Sequence, residues 1–294
     1  MTAVPRHYAT AGALRDALEI RLLDRAKREV GDLQRLRRQV AFDRLLARMF
    51  DPSLAARQCW VLKGGYALEM RFREARSTRD LDFSVRAGVG SLPRAGGTDA
   101  LLEHLRSAAQ VSLPDFFSFI VGGPMMTLNQ APEGGARFPV DARLDGRTFV
   151  SFHVDLGVGD EIIEPLDVLV GEDWLGFGGI APAVAPVLSK EQHWAEKLHA
   201  YTRPRTGAGN SRVRDFLDLI LLIERGSLSP ERIRRAVEAT FDRRATHPIP
   251  DDLLPPPRDW ARPFAALLTE CGLDQTLDGT YERIREVWAA VRAL

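Results

Sequence analysis

The chain has 294 residues, of which 45% are hydrophobic and 27% charged, and its 40 basic residues balance 40 acidic ones. This composition is typical of a globular protein with a substantial core, and it excludes collagen-like repeats, a largely disordered chain and a disulfide scaffold. No stretch approaches the roughly 18 apolar residues of a membrane-spanning helix, and the first residues lack the apolar core of an export signal, so we expect no membrane partner and a cytoplasmic location.

Helical periodicity dominates the first 50 residues. Leucines recur at helical spacing over residues 12–50, which predicts one long helix or a helical pair. A short apolar run at 60–62 then ends in Gly64 and Gly65, and residues 66–72 again have a helical pattern. This order predicts a strand, a tight glycine turn and a helix.

Residues 80–85 alternate between polar and apolar side chains, which predicts a half-buried strand. Asp80 and Asp82 lie two positions apart, so their carboxylates project from the same face. Like charges this close are destabilising without a cation between them, and carboxylate oxygens suit Mg²⁺, with Mn²⁺ as the alternative. Because the Gly64-Gly65 turn offers backbone N–H groups to a phosphate, the segment predicts a phosphate-binding turn facing a metal-binding pair.

A third carboxylate is needed if two metal ions are held together. Residues 148–156 read as a strand in which Phe152 and Val154 face one way, and Asp155 faces the other. Asp155 is therefore the best candidate, provided that this strand lies beside the first. Three other nearby aspartates remain alternatives: Asp141, Asp160 and Asp167.

The remaining pattern separates an α/β part from a helical part. A helix is predicted at 99–109 and a strand at 116–121, and glycine turns at 133–135 and 145–146. A Gly/Pro-rich connection at 171–186 then leads to predicted helices at 190–202, 213–225, 230–243 and 281–293, interrupted by a proline-rich loop at 248–263. We predict two domains, 1–185 and 186–294, with Cys59 and Cys271 as core residues.

Two pairs of segments carry a resemblance to a known family. The segments VLKGGYALEMRF and RSTRDLDFSV, followed by AEKLHAYT and RVRDFLDLILL, resemble the AbiEii/MenT-type nucleotidyltransferase toxins of the polymerase-β-like superfamily. The resemblance implies an α/β (α+β) fold, in which N-terminal helices precede a mixed-sheet core and a helical domain follows it. It also implies transfer of a nucleoside monophosphate from an NTP to the 3′ end of tRNA, which blocks aminoacylation and translation, and a separately encoded winged-helix antitoxin.

By this resemblance, Asp80 and Asp82 match metal-binding carboxylates, and Lys197 and Asp215 match a required lysine and a required aspartate. Lys197 is one of only four lysines among the 40 basic residues, and its alternative interpretation is a surface lysine at a helix edge. Asp215 is expected to position Lys197 or to assist deprotonation of the acceptor. Its alternative is a stabilising charge in the first turn of a helix, where Asp218 lies on the same side.

Basic side chains around these motifs are candidates for phosphate contacts. Lys63 precedes the glycine turn, and Arg76 and Arg79 precede the Asp80 strand, where they could contact a nucleotide or an RNA backbone. In some relatives the antitoxin phosphorylates a hydroxyl just before the two aspartates. Ser77 and Thr78 occupy that stretch here, and a phosphate there would repel an incoming triphosphate.

Further arginines surround the glycine-containing segment 207–210 and suggest a place to hold a nucleic-acid acceptor: Arg203, Arg205, Arg212 and Arg214. His153 and His199 are expected to be structural or solvent-facing. We expect a monomer with its active site in the cleft between the core and the C-terminal helices. The alternatives are nucleotidylation of a protein or a small molecule, and a catalytically silent binding module.

Overall fold

The computed structural model describes residues 7–29, 32–86, 97–128, 131–204 and 212–294. The chain folds into two compact units, the first made of Met1–Met70, Ser77–Gly159 and Val168–Val187, the second of Arg71–Arg76, Asp160–Asp167 and Leu188–Leu294. The last segment of the second unit begins at Leu188, and the domain boundary predicted from the sequence lies after residue 185. The sequence did not anticipate the two short earlier segments that belong to the second unit.

The first unit begins with a pair of helices, α1 (Ala11–Arg28) and α2 (Leu33–Met49). Each starts at a side-chain cap, since the Thr10 hydroxyl accepts from the Ala13 N–H and the Asp32 carboxylate accepts from the Gln34 N–H. The helical pair, rather than one long helix, is therefore the arrangement adopted. Helices α3 (Gly64–Arg71) and α4 (Thr98–Ala109) follow.

The described strands form one mixed sheet, which confirms the predicted fold class. In chain order they are β1 (Trp60–Lys63), β2 (Asp80–Val85), β3 (Phe117–Val121), β4 (Met126–Thr127), β5 (Gly135–Leu144), β6 (Arg147–Val158), β7 (Asp167–Val170) and β8 (Val184–Val187). Their order across the sheet is β3-β5-β6-β2-β1-β8-β7, with β4 also paired to β5. Strand β2 is antiparallel to β1 and parallel to β6, so it lies between the turn at Gly64 and the strand that carries Asp155.

One face of this sheet is apolar and is covered by helices. Phe42 of α2 packs between Tyr66 and Phe152, with ring centroids 4.8 and 4.9 Å away. Phe83 and Leu156 of adjacent strands are completely buried on the same side. Alternation along each strand then places the polar side chains of β2 and β6 on the opposite face.

The second unit is helical. Its helices are α5 (Lys190–Thr202), α6 (Val213–Gly226), α7 (Pro230–Arg244), α8 (Ala261–Glu270) and α9 (Leu277–Arg292). Phe216 at its centre contacts the rings of Tyr201, Trp260 and Phe264. Helix α8 was not predicted, because its first turn lies in the proline-rich stretch, and α9 begins earlier than the expected residue 281.

Both cysteines are buried, as predicted. Among the described helices, none combines the length and the apolar character that crossing a membrane would require.

Candidate functional site

Four charged residues lie directly opposite one another across four neighbouring strands. Arg137 of β5 pairs with Asp155 of β6, Asp155 with Asp82 of β2, and Asp82 with Lys63 of β1. Directly opposed residues share a face of the sheet, so the register alone produces a row of four charged side chains. The two outer side chains are basic and the two inner ones are acidic. Asp80, two residues before Asp82, lies on the same face opposite His153. We call Asp80, Asp82 and Asp155 the carboxylate cluster.

Gly64 is required by the position of the Asp82 carboxylate. Its φ of +70° lies in the left-handed region, and a Cβ added there would be 2.0 Å from Asp82 Oδ2. Any side chain would therefore collide with the carboxylate, in addition to the strain of a positive φ. Gly65 follows as a buried residue of the first turn of α3. The glycine turn thus brings the start of α3 directly against the carboxylate cluster.

Asp80 is contacted by a histidine and an arginine of the two strands that follow it across the sheet. His153 Nδ1 lies 3.1 Å from Asp80 Oδ1, and Arg137 Nη2 lies 3.4 Å from Asp80 Oδ2. The Asp80 side chain keeps an exposed fraction of 28%, whereas Asp155 is buried. His153 is half-exposed and contacts an acid, so it belongs to the surroundings of the cluster.

Arg137 is the residue that the sequence reasoning missed. Its Nε and Nη2 donate to the two Asp155 carboxylate oxygens at 2.8 and 2.7 Å, a bidentate pair. The hydrogen bonds to Asp155 raise the pKa of the Arg137 guanidinium, and the charges of Asp155, Asp80 and Asp82 raise it further. All three acids therefore act on one guanidinium. The signal for it would have been the register of β5 against β6, which short-range patterns do not show.

The donor set of the cluster suits a hard divalent cation. Mg²⁺ is commonly held by one or two carboxylates and completes its shell with water and substrate phosphates. Asp80 and Asp82 supply such a pair, with the Gly64 backbone beside them. Within the described ranges, no three His, Cys, Asp or Glu side chains are grouped so as to hold a metal ion. Asp155 is turned to Arg137, which leaves the carboxylates of Asp80 and Asp82 for a cation.

A second charged group lies in the helical unit and contains the predicted Lys197 and Asp215. The Lys197 ammonium of α5 lies 2.8 Å from Asp215 Oδ1 and 2.8 Å from Asp218 Oδ2, both on α6. Arg76 donates to both Asp218 oxygens at 2.9 and 2.8 Å. We call Lys197, Asp215, Asp218 and Arg76 the lysine cluster. Lys197 is thus a largely buried lysine paired with two acids, which argues against the interpretation as a surface lysine.

Burial and ion pairing have opposite effects on the pKa values of the lysine cluster. Burial alone would lower the pKa of Lys197, but the charges of Asp215 and Asp218 outweigh it and raise the pKa. Burial likewise would raise the pKa of Asp218, and the charges of Arg76 and Lys197 outweigh it and lower the pKa. Both groups are therefore charged at neutral pH, and each depends on the other for its stability in the interior.

The residues predicted to contact phosphates or to be phosphorylated differ in their exposure and contacts. Arg79 is exposed, and Lys63 is half-buried at the end of β1. Arg76, considered as a possible contact of a nucleotide or an RNA backbone, is buried against Asp218. The Thr78 N–H donates to Glu69 at 2.6 Å, and Ser77 is partly exposed.

The alternatives to Asp155 are engaged elsewhere: Asp160 with Arg244, Asp167 with Arg71, and Asp141 with the Ser151 hydroxyl. His199 is buried, with Nε2 2.9 Å from the Thr246 hydroxyl, which agrees with a structural role. Arg205 and residues 207–210 of the predicted basic segment lie outside the described residues.

Comparison with known proteins identifies the family of the chain. Among solved structures, MenT4, a nucleotidyltransferase toxin from Mycobacterium tuberculosis, is similar over 95% of this chain and 98% of its own, with 20% identity and a TM-score of 0.53. JHP933 from Helicobacter pylori is similar over 89% of this chain and 93% of its own, with 14% identity and a TM-score of 0.47. No curated protein sequence matches the chain. The family model of the AbiEii nucleotidyl transferase toxins matches residues 44–291, so the chain belongs to this family of toxins of type IV toxin–antitoxin systems.

Proposed function

We propose that the protein transfers a nucleoside monophosphate from an NTP to the 3′ end of tRNA in a Mg²⁺-dependent reaction, and thereby blocks aminoacylation and translation. Its family supports nucleotidyl transfer and toxicity. The observation that carries the chemistry is the position of the Asp82 carboxylate against Gly64, with Asp80 beside it on the same face. This arrangement brings carboxylate oxygens and the backbone N–H groups at the start of a helix to one place, which supports a metal site beside a phosphate site.

Asp80 and Asp82 would hold the cation, while Asp155, predicted from the sequence as a third carboxylate, is turned to Arg137 and would act through that arginine. Mg²⁺, or Mn²⁺ in its place, supplies positive charge to the phosphoryl oxygens on which negative charge develops. The backbone N–H groups at Gly64 and Gly65 would donate to the triphosphate, because the start of a helix favours an anion. Lys63 and the exposed Arg79 would add positive charge to the phosphates.

Lys197 would neutralise charge during the transfer, and Asp215 would position it. An ammonium has three donors, and Asp215 and Asp218 accept two of them. The third is the donor through which the lysine would neutralise charge. Because Asp215 also pairs with Arg212 at 3.2 Å, the carboxylate is fixed on two sides and holds the lysine in one orientation.

The transfer forms one bond and breaks another at phosphorus. The terminal hydroxyl oxygen of the acceptor attacks the α-phosphorus, the bond to the bridging oxygen breaks, and pyrophosphate leaves while the hydroxyl proton passes to a base. On tRNA, the added nucleotide would cover the hydroxyl that receives the amino acid. The modified tRNA would then be unable to carry an amino acid, which explains toxicity.

A toxin of this type has an antitoxin partner. We propose a separately encoded protein with a winged-helix part, and control by phosphorylation at Ser77 or Thr78. A phosphate on either residue would add negative charge a few residues from Asp80 and repel the triphosphate. A cytoplasmic, monomeric enzyme is consistent with a tRNA acceptor.

Labelled NTPs would test this function directly. The protein is incubated with each α-labelled NTP, total tRNA, cell extract and Mg²⁺, and the products are separated into RNA, protein and small molecules. Label at the 3′ end of tRNA, absent with Asp80→Asn, is the expected result. Label confined to protein or to small molecules would refute the tRNA acceptor, and no transfer to any acceptor would indicate a silent binding module.

A further inference from the structure

The carboxylate cluster already contains a cation of its own. Arg137 donates to both oxygens of Asp155 at 2.8 and 2.7 Å and reaches Asp80 Oδ2 at 3.4 Å. Arg137 and Asp155 are directly opposed in the β5–β6 hairpin, so the contact is a product of the strand register and needs no flexible loop. The guanidinium is bidentate on one carboxylate and close to a second, as a bridging cation would be.

We propose that the Arg137 guanidinium takes the place of a second divalent cation, so that the carboxylate cluster binds one divalent cation instead of two. This inference rests on the proposed function, because it concerns the same cluster. It assigns Arg137, which that function does not use, as a fixed counter-ion, and it leaves Asp80 and Asp82 as the ligands of the single cation.

Charge balance favours one cation. Three carboxylates and one guanidinium carry two negative charges in excess, which a single divalent cation neutralises. Lys63, directly opposite Asp82, reduces the excess further. A second divalent cation would therefore enter a region of net positive charge.

Geometry favours one cation as well. A guanidinium remains protonated in proteins and cannot give up its charge to make room. A second ion bound to Asp155 would have to break both hydrogen bonds of the bidentate pair, at a residue that is largely buried. A second ion about 3.5–4 Å from the first would use Asp155 as its further carboxylate, and Asp155 is engaged by Arg137.

The test is the stoichiometry of Mn²⁺ binding without nucleotide, measured by the electron paramagnetic resonance signal of free Mn²⁺ at up to millimolar metal. The wild-type protein is expected to bind one Mn²⁺ per chain. Arg137→Gln is expected to bind two, with the first bound about tenfold more tightly, since a positive charge beside the site is gone. Arg147→Gln removes an arginine from an exposed pair with Asp145 in the same sheet and should match the wild type.

Arg137→Lys keeps the positive charge and should still bind one Mn²⁺. If Arg137→Gln does not fold by circular dichroism, Arg137→Met, which also removes the charge, replaces it with the same expected result. Two Mn²⁺ bound to the wild type, or one bound with unchanged affinity to Arg137→Gln, would overturn the inference and leave the proposed function standing. Failure of the proposed metal site gives a different result: no Mn²⁺ bound, or binding that survives Asp80→Asn combined with Asp82→Asn.

Discussion

The two charged clusters differ in exposure and in charge balance. In the carboxylate cluster, the Asp80 side chain is 28% exposed and three acids face one guanidinium. In the lysine cluster, Asp218 is completely buried, and two acids face Lys197 and Arg76 at 2.8–2.9 Å. A partly exposed group with excess negative charge can accept a cation from solvent, whereas a buried, balanced group loses stability when any member is removed. The first cluster is therefore suited to binding and the second to positioning.

Asp80→Asn should give the largest effect. We expect nucleotide transfer to fall at least about 1000-fold with the fold unchanged. The amide oxygen of asparagine binds a divalent cation poorly, and the charge of that cation stabilises the transition state. Transfer of label from NTP measures it, and circular dichroism measures the fold. Asp141→Asn is the control, since Asp141 lies on the same face of the sheet but contacts Ser151. An active Asp80→Asn would show that the cluster does not bind the catalytic cation.

Asp218→Asn, unlike Asp80→Asn, should lower the stability of the fold. We expect the free energy of unfolding to fall by about 3–5 kcal/mol, because Lys197 and Arg76 lose a shared buried partner. Urea denaturation measures it. Asp252→Asn removes an acid from an exposed pair with Arg285 and should leave unfolding unchanged. Equal destabilisation by both variants would show that burial does not distinguish the pairs.

Gly64→Ala should separate backbone strain from the collision with Asp82. The strain of a positive φ costs alanine about 1 kcal/mol, and the new Cβ would also displace the Asp82 carboxylate. We expect about a 100-fold loss of transfer, equivalent to about 3 kcal/mol. Gly146→Ala is a matched control, because Gly146 has a φ of +67° with nothing within 4 Å. It should lose stability alone, and a similar loss of activity in both variants would contradict the role of Gly64.

The smallest effect concerns pH. Burial lowers the pKa of His199 from 6.5 to about 3, and the charges of Arg244 and His247 add to the shift. The unfolded chain therefore takes up a proton below about pH 6.5, while the folded chain stays neutral, so this part of the stability is complete above that pH and is lost as the pH falls. Between pH 7 and pH 5 we expect the free energy of unfolding to fall by about 1 kcal/mol from this effect.

His199→Gln cannot titrate and should have a shallower dependence of melting temperature on pH over this range. The Gln variant can still hydrogen-bond the Thr246 hydroxyl, which His199 contacts at 2.9 Å. A slope equal to that of the wild type would show that the buried imidazole does not contribute.

Short-range patterns were enough to predict part of the candidate site. The spacing of Asp80 and Asp82, the glycine turn and the alternation around Asp155 depend only on strand geometry, and the structure places all three where that geometry requires. Strand β5 was missed although its side chains alternate, since Pro139 and the turn at 133–135 argue against a strand.

Contacts between distant segments could not be predicted in this way. The Arg137–Asp155 pair depends on the register of a hairpin whose first strand was not recognised. Arg76 and Asp218 are 142 residues apart, and nothing local in either segment indicates that they pair. Arg76 was therefore considered only as a possible contact of a nucleotide or an RNA backbone, whereas its partner is a buried acid.

The most direct test of the account is the anomalous difference map of a crystal grown with Mn²⁺. The account predicts a peak about 2.0–2.3 Å from carboxylate oxygens of both Asp80 and Asp82. A map with Mn²⁺ bound elsewhere on the chain and no peak at these two carboxylates would contradict it.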